Sequence, residues 1–95
     1  MKKVEIIIES IFLDRIIKEL DEIGVGGYTV IDIIKGKGQR GGVVKTYGIT
    51  GVYKNSYMFA IVSDPEQKKI VDKVTPIIKE LGGILICSEV TCFYA

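Results

Sequence analysis

Ninety-five residues, 47% of them hydrophobic, are enough for one packed domain spanning 1–95 and exclude a disordered chain. Thirteen basic and twelve acidic residues leave a net charge of +1, without the domain-wide basic excess of a nucleic-acid binder. The absence of histidine removes Ser-His-Asp and Cys-His catalysis and most zinc-site patterns.

Residues 3–9 alternate, with Val4, Ile6 and Ile8 on one side and Glu5, Ile7 and Glu9 on the other, which predicts a strand. Glu5 and Glu9 also interrupt any apolar core of a signal peptide behind Lys2 and Lys3. No apolar run approaches the roughly 20 residues of a membrane span, so a cytoplasmic location is expected. Ser10 offers a helix N-cap, and Leu13, Ile16, Ile17, Leu20 and Ile23 follow at helical spacing, predicting a helix over 12–23 that Gly24 ends. A second strand is predicted over 28–34.

Lys35-Gly36-Lys37-Gly38-Gln39-Arg40-Gly41-Gly42 then carries no apolar side chain. Its glycines leave the backbone free to reach positive φ and to turn N–H groups toward an anion. Lys35, Lys37 and Arg40 add positive charge there, with Arg40 offering a planar fork to phosphate oxygens. Taken singly, Lys37 and Arg40 read equally well as solvated surface residues. Residues 36–55 show no sustained period, and an excursion of about twenty residues in so small a domain tends to be functional.

Residues 57–63 alternate as a third strand. Asp64, Pro65 and Gln67 predict a helix start, with Asp64 as cap and Gln67 completing a capping box. Ile70, Val71, Val74, Ile77, Ile78 and Leu81 form its apolar stripe, and Pro76 predicts a kink or break near Asp72. Gly82 and Gly83 end that helix, and 84–93 reads as a fourth strand. Cys87 and Cys92, an odd separation apart, would face opposite sides of it as reduced core thiols.

The order β-α-β-β-α-β predicts a ferredoxin-like α+β fold: a four-stranded antiparallel sheet with two helices on one face and a long loop after the second strand. The opposite face receives Ile7 with Glu5 and Glu9, and each of the other strands carries apolar residues on both faces: Val30 against Ile31 and Ile33, Phe59 against Val62, and Ile84 and Ile86 against Leu85 and Phe93. A sheet with one wet face alternates cleanly, so this pattern predicts burial of the second face in an oligomer. Glu5, Glu9 and Glu89 are placed on that inner sheet, paired with lysine or arginine across the oligomer or hydrated in a central channel. Paired carboxylates for metal or acid–base chemistry are the lesser reading. Nothing assembles a nucleophile, a base and an oxyanion site, so no enzymatic activity is expected.

The runs 1–8, Leu13-Asp14, Leu20…Ile23-Gly24-Val25-Gly26-Gly27-Tyr28-Thr29-Val30 and Lys35 through Gly42 together resemble the first half of PII signalling proteins. The likeness is detailed over about residues 1–63 and holds by pattern beyond. It implies a homotrimer of ferredoxin-like subunits that binds an adenine nucleotide in the clefts between them. It also implies a T-loop, here about 37–55, that changes conformation with the ligand and docks on a target transporter or enzyme. By the resemblance, Thr29 lies near the adenine, Val62 and Ser63 belong to the stretch whose backbone reads the adenine edge, and Gly36, Lys37, Gly38, Gln39 and Arg40 form the T-loop base at ribose and phosphate. As a residue in its own right, Thr29 serves equally as an ordinary sheet position.

The second half departs from PII proteins proper. Their Thr-Gly-x-x-Gly-Asp-Gly-Lys loop between the second helix and fourth strand is replaced by Leu81-Gly82-Gly83, and no Arg-x-Arg pair follows the fourth strand within these residues. Those elements supply most of the family's phosphate contacts. The chain is closer in look to PII-like proteins associated with bicarbonate transporters and carboxysomes. That resemblance implies AMP or ADP in preference to ATP, with cyclic AMP a further candidate and no obligatory cofactor. It implies a protein target such as a membrane transporter, with no nucleic acid and no insertion into the membrane. A small-metabolite, bicarbonate or metal-ion sensor on the same scaffold is the alternative.

Overall fold

The computed structural model describes residues 1–37 and 54–94. In chain order these form β1 (Lys2–Glu9), a 3-10 turn (Ser10–Phe12), α1 (Leu13–Ile23), β2 (Thr29–Ile33), β3 (Asn55–Val62), α2 (Asp64–Leu81) and β4 (Ile84–Glu89). The strands make one sheet in the order β2-β3-β1-β4, antiparallel at every pairing. This is the ferredoxin-like arrangement expected from the element order.

The two-residue period of the central strands decides what is buried. Val4, Ile6 and Ile8 of β1 and Met58, Ala60 and Val62 of β3 point to the helix side, each at most 4% exposed. Ile16 and Leu20 of α1, with Ile70, Val74 and Ile77 of α2, close over them. Each fully buried Ile, Leu or Val contributes about 1.5–3 kcal/mol relative to exposure, so this one layer is the main source of stability. Leu13, Ile17, Ile23, Ile78 and Leu81 pack at its margin, as the helical spacing predicts.

Element ends differ from the sequence reading for identifiable reasons. Ser10 does not cap α1; the helix begins at Leu13, and Phe12 holds the N-cap position without a side-chain bond. Ser10 is engaged elsewhere, its Oγ 2.7 Å from Ser56 Oγ. Ser56 is 1% exposed, and a buried hydroxyl requires such a partner. Gly24 ends α1 as expected, left-handed at φ 91°.

The second helix is capped one residue earlier than predicted. Ser63, with extended φ and ψ, is the N-cap, and Glu66 rather than Gln67 completes the capping box. The Ser63 N–H donates to Glu66 Oε1 at 2.9 Å, and the Glu66 N–H donates to Ser63 Oγ at 3.3 Å. Pro65 falls in the first turn, where its missing N–H costs nothing. Pro76 does not break α2, which runs on to Leu81.

The fourth strand is shorter than 84–93. Its register with β1 ends at the Lys2–Glu89 pair, beyond which the Val90 N–H donates to the Met1 carbonyl at 3.1 Å. Cys92 and Phe93 therefore lie beyond the sheet. Both cysteines are free, and Cys87 is exposed rather than a core thiol.

α2 turns into β4 through Gly82 and Gly83, both at positive φ. At Gly83 a Cβ would lie 2.6 Å from the Ile7 carbonyl oxygen and 3.2 Å from Ile78 Cδ1, whereas at Gly82 it would meet open space. Gly82→Ala should cost about 1–3 kcal/mol from backbone strain alone. Gly83→Ala should cost more, because the turn must also move away from β1; chemical denaturation of the two variants reads the order. Ser63→Ala should cost about 0.5–2 kcal/mol. The Ser63 backbone N–H bond holds the Glu66 carboxyl below its ordinary pKa, followed by the Ser63 side chain. Glu66's share of the cap is thus fully present above the ordinary glutamate pKa and is lost as pH falls through the lower folded value. Denaturation of Glu66→Gln against pH should show its deficit shrinking over that acid range.

Candidate functional site

The long excursion after β2 leaves and re-enters the domain at one end of the sheet. Its first root follows Ile33, which pairs with Asn55. Ile34 is 96% exposed there, and Lys35, Gly36 and Lys37 are all exposed. Its second root is fixed: the Ser10 N–H donates to the Lys54 carbonyl at 2.8 Å, Asn55 pairs with Glu9, and Ser56 is buried against Ser10. The Gly82-Gly83 turn packs at this same end, against Ile7 and Ile8 of β1.

The residues singled out in the sequence fall into two groups. Gly36 and Lys37 stand at the first root. Gly36 is not among the positive-φ glycines, so the left-handed backbone expected of that stretch is not used there. Gly38, Gln39 and Arg40 lie outside the described residues. Thr29 opens β2 at the opposite end, exposed and in register with Phe59. Four residue steps along the strand separate Thr29 from Ile33, about 13 Å at the usual rise. Val62 and Ser63 share the Thr29 end. The Val62 side chain is core, 3% exposed, so only its backbone can serve a ligand. No residue of β2 stands in register with residues 60–62, so among the described residues that side of β3 has no paired strand. The Ser63 side chain is already engaged in its capping box. One chain thus brings Thr29, Val62 and Ser63 together, and Gly36 and Lys37 together, but not the two groups with each other.

The sheet face away from the helices carries Lys3, Glu5 and Ile7 of β1, Tyr57, Phe59 and Ile61 of β3, Thr29, Ile31 and Ile33 of β2, and Ile84 and Ile86 of β4. Ile31, Ile84 and Ile86 are 52%, 48% and 45% exposed. Near its middle, Tyr57 Oη donates to Glu5 Oε1 at 2.6 Å, and Lys3 Nζ lies 3.6 Å from the same oxygen. Lys3 Nζ also sits 5.1 Å from the centre of the Phe59 ring, a cation–π distance. The Tyr57 hydrogen bond, and after it the Lys3 charge, hold the Glu5 carboxyl below its ordinary pKa. The same bond, with burial, raises the Tyr57 phenol. Sequence reasoning missed this contact; its signal was Lys3 and Glu5 two apart on one face of β1, with an aromatic strand beside them.

Glu89 does not join Glu5 and Glu9. It stands on the helix-side face opposite Lys2, where it takes both the Lys2 ammonium and, at 3.5 Å, the chain's own amino terminus. The hydrogen bond from Lys2 lowers the Glu89 pKa and the same contact raises that of Lys2. The three carboxylates expected to gather on the inner sheet are therefore divided by its period of two, and Glu5 finds its cation within its own chain. Among the described residues no group of three potential ligands converges on a metal site, and no helix is long and apolar enough to cross a membrane.

The chain resembles solved structures along nearly its whole length. CPII from Thiomonas intermedia K12, a nitrogen regulatory PII-like protein solved with ADP, AMP and bicarbonate, superposes with a TM-score of 0.78 at 23% identity, covering 99% of this chain and 93% of that one. CPII bound to ADP and bicarbonate gives a TM-score of 0.74 at 24% identity over 92% and 82% of the two chains. A PII-like signalling protein from Thermus thermophilus gives 0.73 at 24% identity over 92% and 83%. At these identities the likeness establishes the fold. The family model for nitrogen regulatory protein P-II matches residues 1–92, so this chain belongs to the P-II family and is a PII-like protein.

Proposed function

We propose that this protein is a regulatory binding module rather than an enzyme: a cytoplasmic homotrimer that takes an adenine nucleotide in the clefts between its subunits. The nucleotide is AMP or ADP in preference to ATP. Occupancy is passed through the loop after β2 to a partner protein, such as a transporter linked to inorganic carbon or nitrogen. The observation that carries this reading is the division of the candidate residues. Thr29 and residues 60–62, which pair with β1 but have no β2 partner, stand at one end of the sheet, and the basic root at Gly36 and Lys37 stands at the other. Two subunits meeting in a cleft would set the base-binding group of one beside the phosphate-binding group of the other. The exposed apolar second face supplies a surface along which subunits would join.

The preference for a short phosphate chain rests on the α2–β4 connection. Gly82 and Gly83 make a turn pressed against the Ile7 carbonyl, with no loop to fold over a triphosphate. The phosphate is left to backbone N–H groups and cations of the first root: Gly36 and Lys37, with Gly38, Gln39 and Arg40 beyond them. CPII, a structural relative, was solved with ADP and AMP. Ligand phosphate at this root biases which surface the loop presents, a shift between pre-existing states.

The second reading is a sensor of bicarbonate or another small anion or metal ion without nucleotide. It is favoured by the few phosphate contacts available and by the bicarbonate held in CPII alongside nucleotide.

Calorimetric titration separates these readings. AMP and ADP should bind the wild type, and Arg40→Ala should weaken them about 10- to 100-fold, the loss of a charge-assisted hydrogen bond. Failure of AMP, ADP, ATP and cyclic AMP to bind the wild type at millimolar concentration overturns the nucleotide reading, and bicarbonate binding in that case supports the second.

A further inference from the structure

We propose that Ser10 and Ser56 are positioning residues: their paired hydroxyls clasp the returning root of the excursion to β1, so that a ligand at Gly36 and Lys37 displaces the leaving root and not the returning one. The ligand half of this inference rests on the nucleotide reading above; the clasp itself does not.

Ser56 breaks the pattern of its strand. The inward positions of β3 are Ser56, Met58, Ala60 and Val62, and the other three belong to the apolar core. Ile8, fully buried, stands directly across from Ser56 on β1. Among the described residues Ser56 is the one buried polar side chain. Alanine would fill nearly the same volume with no hydroxyl to desolvate. What serine adds at this position is therefore the contact its hydroxyl makes, and that contact is Ser10 Oγ.

Ser10 is a firm anchor. It opens the 3-10 turn Ser10–Phe12, and Phe12 and Leu13 behind it pack against the core. Its N–H donates to the Lys54 carbonyl, which carries the β1–β3 pairing one step past Glu9 and Asn55. A backbone bond and a side-chain bond thus tie Ser10 to the same short segment. The hydroxyl pair holds the Ser10 N–H facing Lys54 at a strand end that would otherwise fray.

The leaving root is built differently. The register of β2 with β3 ends at Ile33 and Asn55; Ile34 then stands almost wholly in solvent, and Lys35, Gly36 and Lys37 are exposed. A perturbation is taken up where local opening costs least. Phosphate held at Gly36 and Lys37 therefore rearranges that root while residues 54–56 stay with β1, and the response is a change of angle between the two roots rather than a shift of both.

Amide hydrogen exchange, read residue by residue by NMR with and without ADP, tests both halves. In the wild type the Ser10 amide should be protected about 100-fold more than those of Lys35, Gly36 and Lys37. Equal exchange at the two roots overturns the inference, and this comparison needs no variant to fold. In Ser10→Ala/Ser56→Ala the amide of position 10 should exchange about tenfold faster, the loss expected from one hydrogen bond, while those of Ile70 and Val74 in α2 change by less than about threefold. The same acceleration at all of these sites assigns the pair to overall stability and overturns the clasp. ADP should alter protection at Lys35–Lys37 and leave Ser10, Asn55 and Ser56 as they were; in the double variant its effect should spread to the returning root. Equal changes at both wild-type roots overturn the one-sided response. If ADP fails to bind at millimolar concentration, the nucleotide reading and the ligand half fall together, and the ligand-free comparison still upholds or overturns the clasp.

Discussion

β1 is hydrogen-bonded along both edges, to β3 on one side and β4 on the other. That double pairing is the constraint on which the rest depends. It holds the strand flat enough for its alternation to sort side chains into two populations. Val4, Ile6 and Ile8 go to the helices, and Lys3, Glu5 and Ile7 go to the other face. Shifting β1 by one residue would exchange the two sets and bury Glu5 in the core. The same register puts Lys2 opposite Glu89 and Gly83 beside the Ile7 carbonyl, so the closing turn and the terminal ion pair inherit their geometry from it.

The sheet also separates two kinds of end. At one, the roots of the long excursion and the Gly82-Gly83 turn converge, with Ser10 and Ser56 fastening the returning chain. At the other, Thr29 lies near residues of β3 that have no β2 partner, and Ser63 starts α2. Antiparallel strands of about five to eight residues hold such ends well over 10 Å apart. Residues close in sequence, such as Thr29 and Gly36, are thereby parted, while Lys54 and Ser10 are brought together.

Much of the fold was legible because period is a local property. The alternation of 3–9 and 57–63 and the helical spacing from Leu13 to Ile23 and from Ile70 to Leu81 each reported a buried face before any partner was known. The mixed apolar content of the second face was equally readable. Misreadings gathered at element ends. Ser10 has the chemistry of a cap but is taken by buried Ser56; Glu66, not Gln67, reaches back to Ser63; and β4 ends at Glu89, where its pairing with β1 ends at Lys2. Each outcome is a competition between a local signal and a partner distant in sequence, which no local window contains.

The sequence by itself determined the element order, the family resemblance and the apolar character of both sheet faces, because these follow from residue types at short spacing. It also marked Gly36 and Lys37 as a basic, glycine-rich root. Tertiary structure alone decided that Val62 and Ser63 share the Thr29 end of the sheet, that Glu89 leaves the other carboxylates for Lys2, and that Glu5 is held by Tyr57 and Lys3. These depend on strand register, which is set by the packing of the whole sheet and only then places one side chain against another.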